Sequence, residues 1–535
     1  MDEFDYIVVG AGSAGCVVAA RLSEDPDVSV LLLEAGGSDR KLTISMPLGF
    51  LKTVFDPSLS WGDMGEPEPN LGGRQLWLPR GKVMGGSGSI NGMFYMRGHP
   101  NDYDTWAQMG ARGWSYDDVL PYFRKMEDSW RGENEFHGKG GPLRVEPIQT
   151  GHLLHQPMRD AVLAAGYPGT DDISGADAEG PALGEVTVDK RGRRASTAAA
   201  YIRPALSRPN LEVRQQALAH RILFEDGRAV GVEYERGGEV RQVRARHEVI
   251  LCGGVYNSPQ LLLMSGIGPA EDLAELGIDV RADLPGVGRN ISEHPCCWME
   301  WQATKPVTFV RELRVDRVAR HVLQWLLFGS GKFATQLNSC NVVLRTDPEL
   351  AQPDIQLMAN PVAFGVTPWL PPFVPEPEHK FACGVVLLNQ RSRGWMKLRS
   401  AEPHERPAIT LNIMDDPWDV QTMIRGVREA RRIYRTSPQA ELTGTELMPG
   451  EQVDSDEELE AWIRDVAVIG QHAVGSCRMG TDPQAVVDPE LRVRGIDGLR
   501  VIDASVMPTV PGANTNASAI MIGEKGADLV KADCS

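Results

Sequence analysis

Gly10, Gly12 and Gly15 are spaced as G-x-G-x-x-G, and Glu34 stands nineteen residues past the last of them. A diphosphate needs bare backbone N–H groups and the positive end of a helix, and a side chain at Gly10 or Gly12 would hold it away. Ser13 and Ala14 share that turn, and Gly15 lets the following helix pack close to the strand. A ribose with free 2′ and 3′ hydroxyls needs a carboxylate at the tip of the next strand, which Glu34, followed by Ala35, supplies. This set specifies an ADP-containing dinucleotide, with FAD and NAD both open. A second glycine-dense stretch runs from Arg80 to Met93: Val83, Met84 and Ile90 interleave with Gly85, Gly86, Gly88 and Gly92, beside Ser87 and Asn91. Flexible linkers seldom mix apolar residues with glycines in this way, so the stretch reads as backbone approached by an anion or a flat ring.

These residues require particular elements to hold them. Phe4 to Val9 is a short apolar run rich in β-branched residues, as a buried parallel strand should be, and it leads directly into Gly10. Cys16 to Leu22 has helical spacing, Asp25-Pro26-Asp27 stops it, and Val28 to Leu33 reads as the second strand. Residues 40 to 80 contain many breakers and read as an ordered excursion across the cofactor. Residues 115 to 127 and 156 to 165 have helical spacing, whereas Leu211 to Leu218, Arg221 to Phe224 and Gly231 to Tyr234 alternate as strands around the turn Glu225-Asp226-Gly227. Glu248 to Cys252 reads as a buried strand ending in Gly253-Gly254. For the helix that follows, Ser258 is the expected cap, Pro259 the first helical residue and Gly266 the stop.

Composition narrows the function. At 535 residues the chain exceeds one ordinary core, so two joined domains are expected. A net charge of −17 argues against a polyanionic partner, and no nucleic-acid binding is expected. No segment reads as a signal peptide or a membrane span, so the expected setting is soluble and cytoplasmic, with attachment to the face of the inner membrane as the alternative. The eight cysteines show no C-x-x-C pair, and adjacent Cys296 and Cys297 read as packing residues. The eleven histidines show no H-x-H or H-x-x-x-H spacing, so no metal is expected.

Gly81 to Asn91 resembles the first signature of the glucose-methanol-choline (GMC) family of flavin oxidoreductases almost position for position, and Asp102, Asp104 and Trp106 follow as in its bacterial alcohol dehydrogenases. Asn257 to Gly268 is similar to the second signature, with Val255 where a small residue is usual. Pro285 to Asn290 with His294 resembles the family's crossing between domains, and His294 itself reads as a hydrogen-bonded structural residue. Gly470 to Gly480, Val501 to Pro508 and Gly512 to Ala517 are similar to the C-terminal motifs.

The resemblance implies an α/β fold: a Rossmann-type FAD domain with a second substrate domain built on a largely antiparallel sheet flanked by helices. The expected division is 1–150, 196–299 and 456–535 for the FAD domain, 300–455 for the substrate domain and 151–195 for a connection. It implies FAD rather than NAD, and non-covalent FAD, since Ile90 stands where some members carry a flavin-linked histidine. Cofactor contacts are expected at Gly10, Gly12, Ser13, Ala14, Gly15, Glu34, Ala35, Arg80, Val83, Gly85, Gly86, Ser87, Asn91, Gly92, Met93, Asp503, Ala504, Asn514 and Thr515. His472 matches the family's catalytic histidine and Asn514 the position of an asparagine or second histidine. The implied reaction sends hydride from a carbinol carbon to flavin N5 while an imidazole takes the hydroxyl proton. An amide at 514 holds the substrate oxygen. The expected substrate is an alcohol, taken to be primary, oxidised to an aldehyde, with oxygen or a quinone or dye as acceptor and self-association open. Aliphatic, polyol, choline-like, pyridoxine-like and polyether alcohols all fit. The rivals are a redox-inactive hydroxynitrile lyase and a non-catalytic flavin-binding protein. Residues 361–380, rich in proline with Phe364, Trp369 and Phe373, read equally as an active-site lid or as a connecting loop.

Overall fold

The computed structural model describes residues 2–149, 153–176 and 178–533, so Cys534 lies outside it. In β1 (Asp2–Val9), Tyr6 to Val9 pair in parallel with Val30 to Leu33 of β2 (Val30–Glu34) on one side and with Glu248 to Leu251 on the other. A strand flanked on both sides and covered on both faces must be apolar, as Tyr6 to Val9, Val30 to Leu33 and Val249 to Leu251 are. The helix α1 (Ser13–Leu22) makes the crossover. Strand Leu211–Gln215 extends the sheet beyond β2, and Leu499–Val501 adds in parallel beside Val249 to Leu251. The ends of the parallel strands therefore gather Gly10, Glu34, Cys252 and Ile502 at one edge, where ligands of such sheets bind.

Two local expectations change. Leu211 to Leu218 is not one strand: Gln216 adopts φ +53° and donates its N–H to Gly36 O. The parallel strand therefore ends at Gln215, and an antiparallel meander, Ala217–Glu225, Arg228–Arg236 and Glu239–Leu251, begins. The helix expected from Ser258 starts instead at Gly254 and runs to Met264, with Pro259 inside it. Proline has no N–H to give Val255 O, and the Ser476 hydroxyl donates to that carbonyl in its place. Ser258 does not cap; its hydroxyl accepts from Gly253 N at 3.0 Å and donates to Asp503 Oδ2 at 2.6 Å. Gly266, at φ +82°, does stop the helix.

The second sheet is antiparallel, in the order Thr443–Met448, Pro295–Ala303, Lys380–Leu387, Ile355–Asn360, Cys340–Leu344 and Gly180–Ala182. Alternation along Pro295–Ala303 sends Cys296 and Cys297 into different apolar clusters, and both remain free thiols. Val468–Ile469 pairs with Pro295 and Cys296, which ties the C-terminal segment to this sheet immediately before His472. The fold is thus the expected mixed α/β arrangement, a parallel-centred dinucleotide sheet joined to an antiparallel one. Among the described residues no helix is long and apolar enough to cross a membrane.

Trp369 is buried, with its indole N–H donated to Val310 O at 3.0 Å, and so anchors the 361–380 segment, whereas Phe364 packs edge-on against Trp298 with ring centroids 4.5 Å apart. Helix Pro417–Tyr434 covers the antiparallel sheet through Gly426, where a Cβ would lie 2.8 Å from Ile355 Cδ1 and 2.9 Å from Val385 Cγ1. Gly426→Val is therefore expected to lower the unfolding free energy by about 1–3 kcal/mol, as overpacking does; a denaturant midpoint unchanged from wild type would show that this helix is free to shift.

Candidate active site

Three glycine- or amide-bearing stretches distant in sequence interlock at the end of β1. Gly10 adopts φ +105° and a Cβ there would meet Cys252 O at 2.5 Å, so the first turn closes directly on the end of the neighbouring strand. Gly85 N donates to Ala11 O at 2.7 Å, and a Cβ on Gly86, itself at φ +53°, would lie 2.8 Å from Gly12 Cα. The two glycine stretches are therefore in backbone contact. Ser13 Oγ donates to Asn516 Oδ1 at 2.6 Å, which adds the start of the final helix, Asn516–Asp533.

A cavity of about 540 Å³ opens along this junction. Of the expected cofactor residues, Gly10, Gly12, Ser13, Ala14, Glu34, Ala35, Arg80, Gly86, Ser87, Asn91, Gly92, Met93, Asp503, Ala504, Asn514 and Thr515 line it. Gly15, Val83 and Gly85 do not. A Cβ on Gly15 would meet Gly10 O at 1.9 Å, so its work is to seat α1 against the loop. Val83 packs with Ile44, Leu59 and Ile90, and Gly85 is held behind Gly86 by its bond to Ala11. The sequence left unassigned Ala217 to Ala219 and Gly253 to Tyr256 along the sheet end, Trp298 and Met358 from the second sheet, and Gln336 from the loop before it; Phe364, named in the lid reading of 361–380, also lines the cavity. Gly253-Gly254, after a buried strand, was the one available signal; the others carry no motif.

The N-cap residue of α1 is Gly12, which has no side chain to cap it, so the first N–H groups of the helix remain available at the cavity wall. Glu34 accepts from Ala11 N at 2.9 Å and Gly36 N at 2.7 Å, and burial pushes its carboxyl up to about 7. Asn91 Oδ1 accepts from Arg194 Nη1 at 2.7 Å and Met93 N at 3.0 Å, which fixes the amide in the second stretch.

At the other end stand two imidazoles. His294 Nε2 lies 3.0 Å from Leu388 O, its Nδ1 lies 3.0 Å from His472 Nδ1, and His472 Nε2 lies 2.9 Å from Asn514 Nδ2. A carbonyl only accepts, so His294 must carry its proton on Nε2 and, when neutral, offers a lone pair at Nδ1. His472 then carries its proton on Nδ1, and its Nε2 lone pair faces the cavity beside the Asn514 amide. Asn514 donates to that lone pair and its Oδ1 is buried without a hydrogen-bond partner among the described residues. Burial holds His294 down at about 4, and burial, His294 and Arg80 together hold His472 well below the ordinary imidazole range. Both backbones are clamped by Glu293, whose Oε1 accepts from His294 N at 2.9 Å and His472 N at 2.6 Å while Oε2 sits 3.5 Å from Arg80 Nη2. Burial pushes this carboxyl up to about 7.

Residues 4–296 and 390–523 match the models of the GMC oxidoreductase family, and the chain belongs to that family. It is 44% identical over 531 residues to the oxygen-dependent choline dehydrogenase of Sinorhizobium fredii, covering 99% of this chain and 95% of that one. It is 42% identical to the human mitochondrial choline dehydrogenase, covering 99% and 90%. Among solved structures it is similar to pyridoxine 4-oxidase from Mesorbium loti, with a TM-score of 0.87 and 29% identity over 98% of both chains. It is similar also to a formate oxidase, with a TM-score of 0.92 and 27% identity over 99% and 98%. The chain is an FAD-dependent oxidoreductase of CH–OH donors, and it oxidises an alcohol. Its cavity fits that cofactor: bare glycine backbone and an uncapped helix end meet a diphosphate, Glu34 stands at the strand tip, and a buried Asn514 oxygen is unmet.

Because burial disfavours the charged form of an imidazole, both histidines should be neutral near the ordinary imidazole value of about pH 6.5. Nitrogen-15 NMR of histidine-labelled protein is expected to show His294 protonated on Nε2 and His472 on Nδ1 there. An imidazolium signal from either ring, or the opposite tautomers, would break the proton order drawn here.

Proposed function

We propose that the protein oxidises an uncharged primary alcohol bearing an apolar chain to the aldehyde, with His472 as general base and Asn514 as the holder of the substrate oxygen. The observation that supports this most is the direction of the imidazole pair. His472 Nε2 presents a lone pair at the cavity wall, where the alcohol proton would have to go. FAD, held by the glycine stretches and Glu34, supplies the acceptor for the hydride. The substrate hydroxyl would take the place of the Asn514 N–H on Nε2, freeing the amide to donate to the substrate oxygen as its proton leaves. His294 is a positioning residue: neutral and anchored on Leu388 O, it keeps the proton of His472 on Nδ1. Glu293 fixes the pair in place through the two backbone N–H groups, while the Arg80 guanidinium disfavours the cation and so favours return of the proton from Nε2.

The substrate reading follows from the walls. Trp298, Met358, Phe364, Val366 and Leu313 line the cavity, and among the described residues Glu34 and Asp503 are its only carboxylates. Asp503 is committed to Ser258, Gly254 and Ser505. A cationic head would find no free carboxylate. A second reading, a quaternary ammonium alcohol, is favoured by the aromatic pair Trp298 and Phe364, which could face a cation, and by the choline dehydrogenase relatives. An anaerobic titration watching flavin absorbance separates them: medium-chain 1-alkanols should bleach the flavin faster than choline, and the reverse order selects the second reading. The acceptor is proposed to be oxygen or a quinone, distinguished by reoxidising the bleached enzyme with each. Ile90 offers no atom for a covalent link, so acid precipitation is expected to release all the flavin. The division into FAD segments 1–150, 196–299 and 456–535 and substrate segment 300–455 is proposed on the same footing.

His472→Ala should keep its yellow flavin while reduction by alcohol slows about 10²- to 10⁴-fold; reduction at the wild-type rate would remove His472 from the chemistry. His294→Phe, which removes the acceptor for Nδ1–H, should lower kcat with little change in KM, and an altered KM at unchanged kcat would assign it to substrate binding.

A further inference from the structure

Outside the cavity's reactive end, His220, Glu235 and His404 meet from three separate stretches. They are the strand Ala217–Glu225, the strand Arg228–Arg236 and the loop 398–407. Glu235 Oε2 lies 2.9 Å from His404 Nε2 and 3.4 Å from His220 Nε2, and the three atoms are all within 4.8 Å of one another. The rings stand at 77° with centroids 5.6 Å apart, so both Nε2 atoms turn toward the same carboxylate oxygen. With metal–nitrogen and metal–oxygen bonds of about 2.0–2.2 Å, the edges of a tetrahedron are about 3.3–3.6 Å. The 3.4 Å separation falls in that range, and the 2.9 Å one is a hydrogen bond that an ion would open by a few tenths of an ångström. A plain hydrogen-bonded trio would satisfy each imidazole, yet His220 Nε2 is buried and makes no hydrogen bond among the described residues.

We infer that His220, Glu235 and His404 form a site for one divalent transition ion of the zinc type, with water completing the tetrahedron. Two imidazoles and a carboxylate suit zinc, cobalt or nickel and not magnesium or calcium, which take oxygen ligands. The exposed His404 gives the ion a route from solvent, and its loop carries Pro403 and Arg406 into the cavity wall, Arg406 being paired with Asp63 at 2.6 and 2.9 Å. The ion is therefore a clamp that fastens this loop to the sheet edge. The ligands lie too far apart in the chain to show as a spaced histidine motif, and the expectation of no metal is replaced here by this site.

Chelator-treated holoenzyme titrated with Co²⁺ should develop the visible bands of a tetrahedral ion at one equivalent, displaced by Zn²⁺ and untouched by Mg²⁺. Zn²⁺ should raise Tm and slow trypsin cleavage after Arg399. His404→Ala sits on the exposed loop and should keep the metal-free Tm, while losing affinity by about tenfold or more along with the trypsin protection; Glu235→Gln should do the same. Wild-type protein that binds neither ion at micromolar concentration, or a His404→Ala variant with undiminished affinity and protection, overturns the site.

Discussion

The approach of two backbones, Gly12 to Gly86, is the constraint on which the rest of the structure depends. With no side chain between them, the turn after β1 and the stretch from Gly81 to Asn91 share one surface, and Gly85 N is bonded to Ala11 O. The uncapped end of α1 thereby faces a cavity that both stretches line. Everything downstream is referred to this junction. Ser13 holds Asn516, Asn516 opens the last helix, and Asn514 and Thr515 are thus fixed two and one residues before it.

The imidazole pair converts that placement into a direction. A single carbonyl, Leu388 O at the end of a strand of the antiparallel sheet, sets the tautomer of His294, which sets that of His472. The second sheet thus does more than line the cavity; it decides which nitrogen of His472 carries the lone pair. Gln471 adopts φ +67°, an uncommon conformation for a residue with a side chain, and is restrained by Arg80 Nη1 donating to its carbonyl at 3.0 Å. Such local strain is tolerated because Glu293 and the pairing of Val468–Ile469 with Pro295 and Cys296 hold the segment on both sides.

How much was readable in the sequence varies by element. The strand, turn, helix, strand and terminal acid from Phe4 to Glu34 follow local rules of burial, glycine and charge, and appear where those rules put them. The helix Gly254–Met264 starts earlier than its sequence signals, because Pro259 marks a first turn and only a hydroxyl from residue 476 makes it tolerable farther in. Gln216 gives no sign in its type that it divides two strands, since the cause is a bond to Gly36 far along the chain. Val83, Gly85 and Gly15 belong to the right motifs but support the cavity from behind, a distinction that motif membership cannot express.

By itself the sequence determined that an ADP-containing cofactor would be met by glycine backbone and a strand-tip carboxylate, because those requirements are local to a few residues of fixed type. It also marked His472 and Asn514 through their surroundings in the C-terminal motifs. Only the tertiary structure decided which nitrogen of His472 faces the cavity, that His294 governs it, and that the two carboxylates lining the cavity among the described residues, Glu34 and Asp503, are both engaged. Those outcomes depend on groups brought together from 178 residues apart, as between His294 and His472, and a linear order of residue types does not encode which distant donor meets which acceptor.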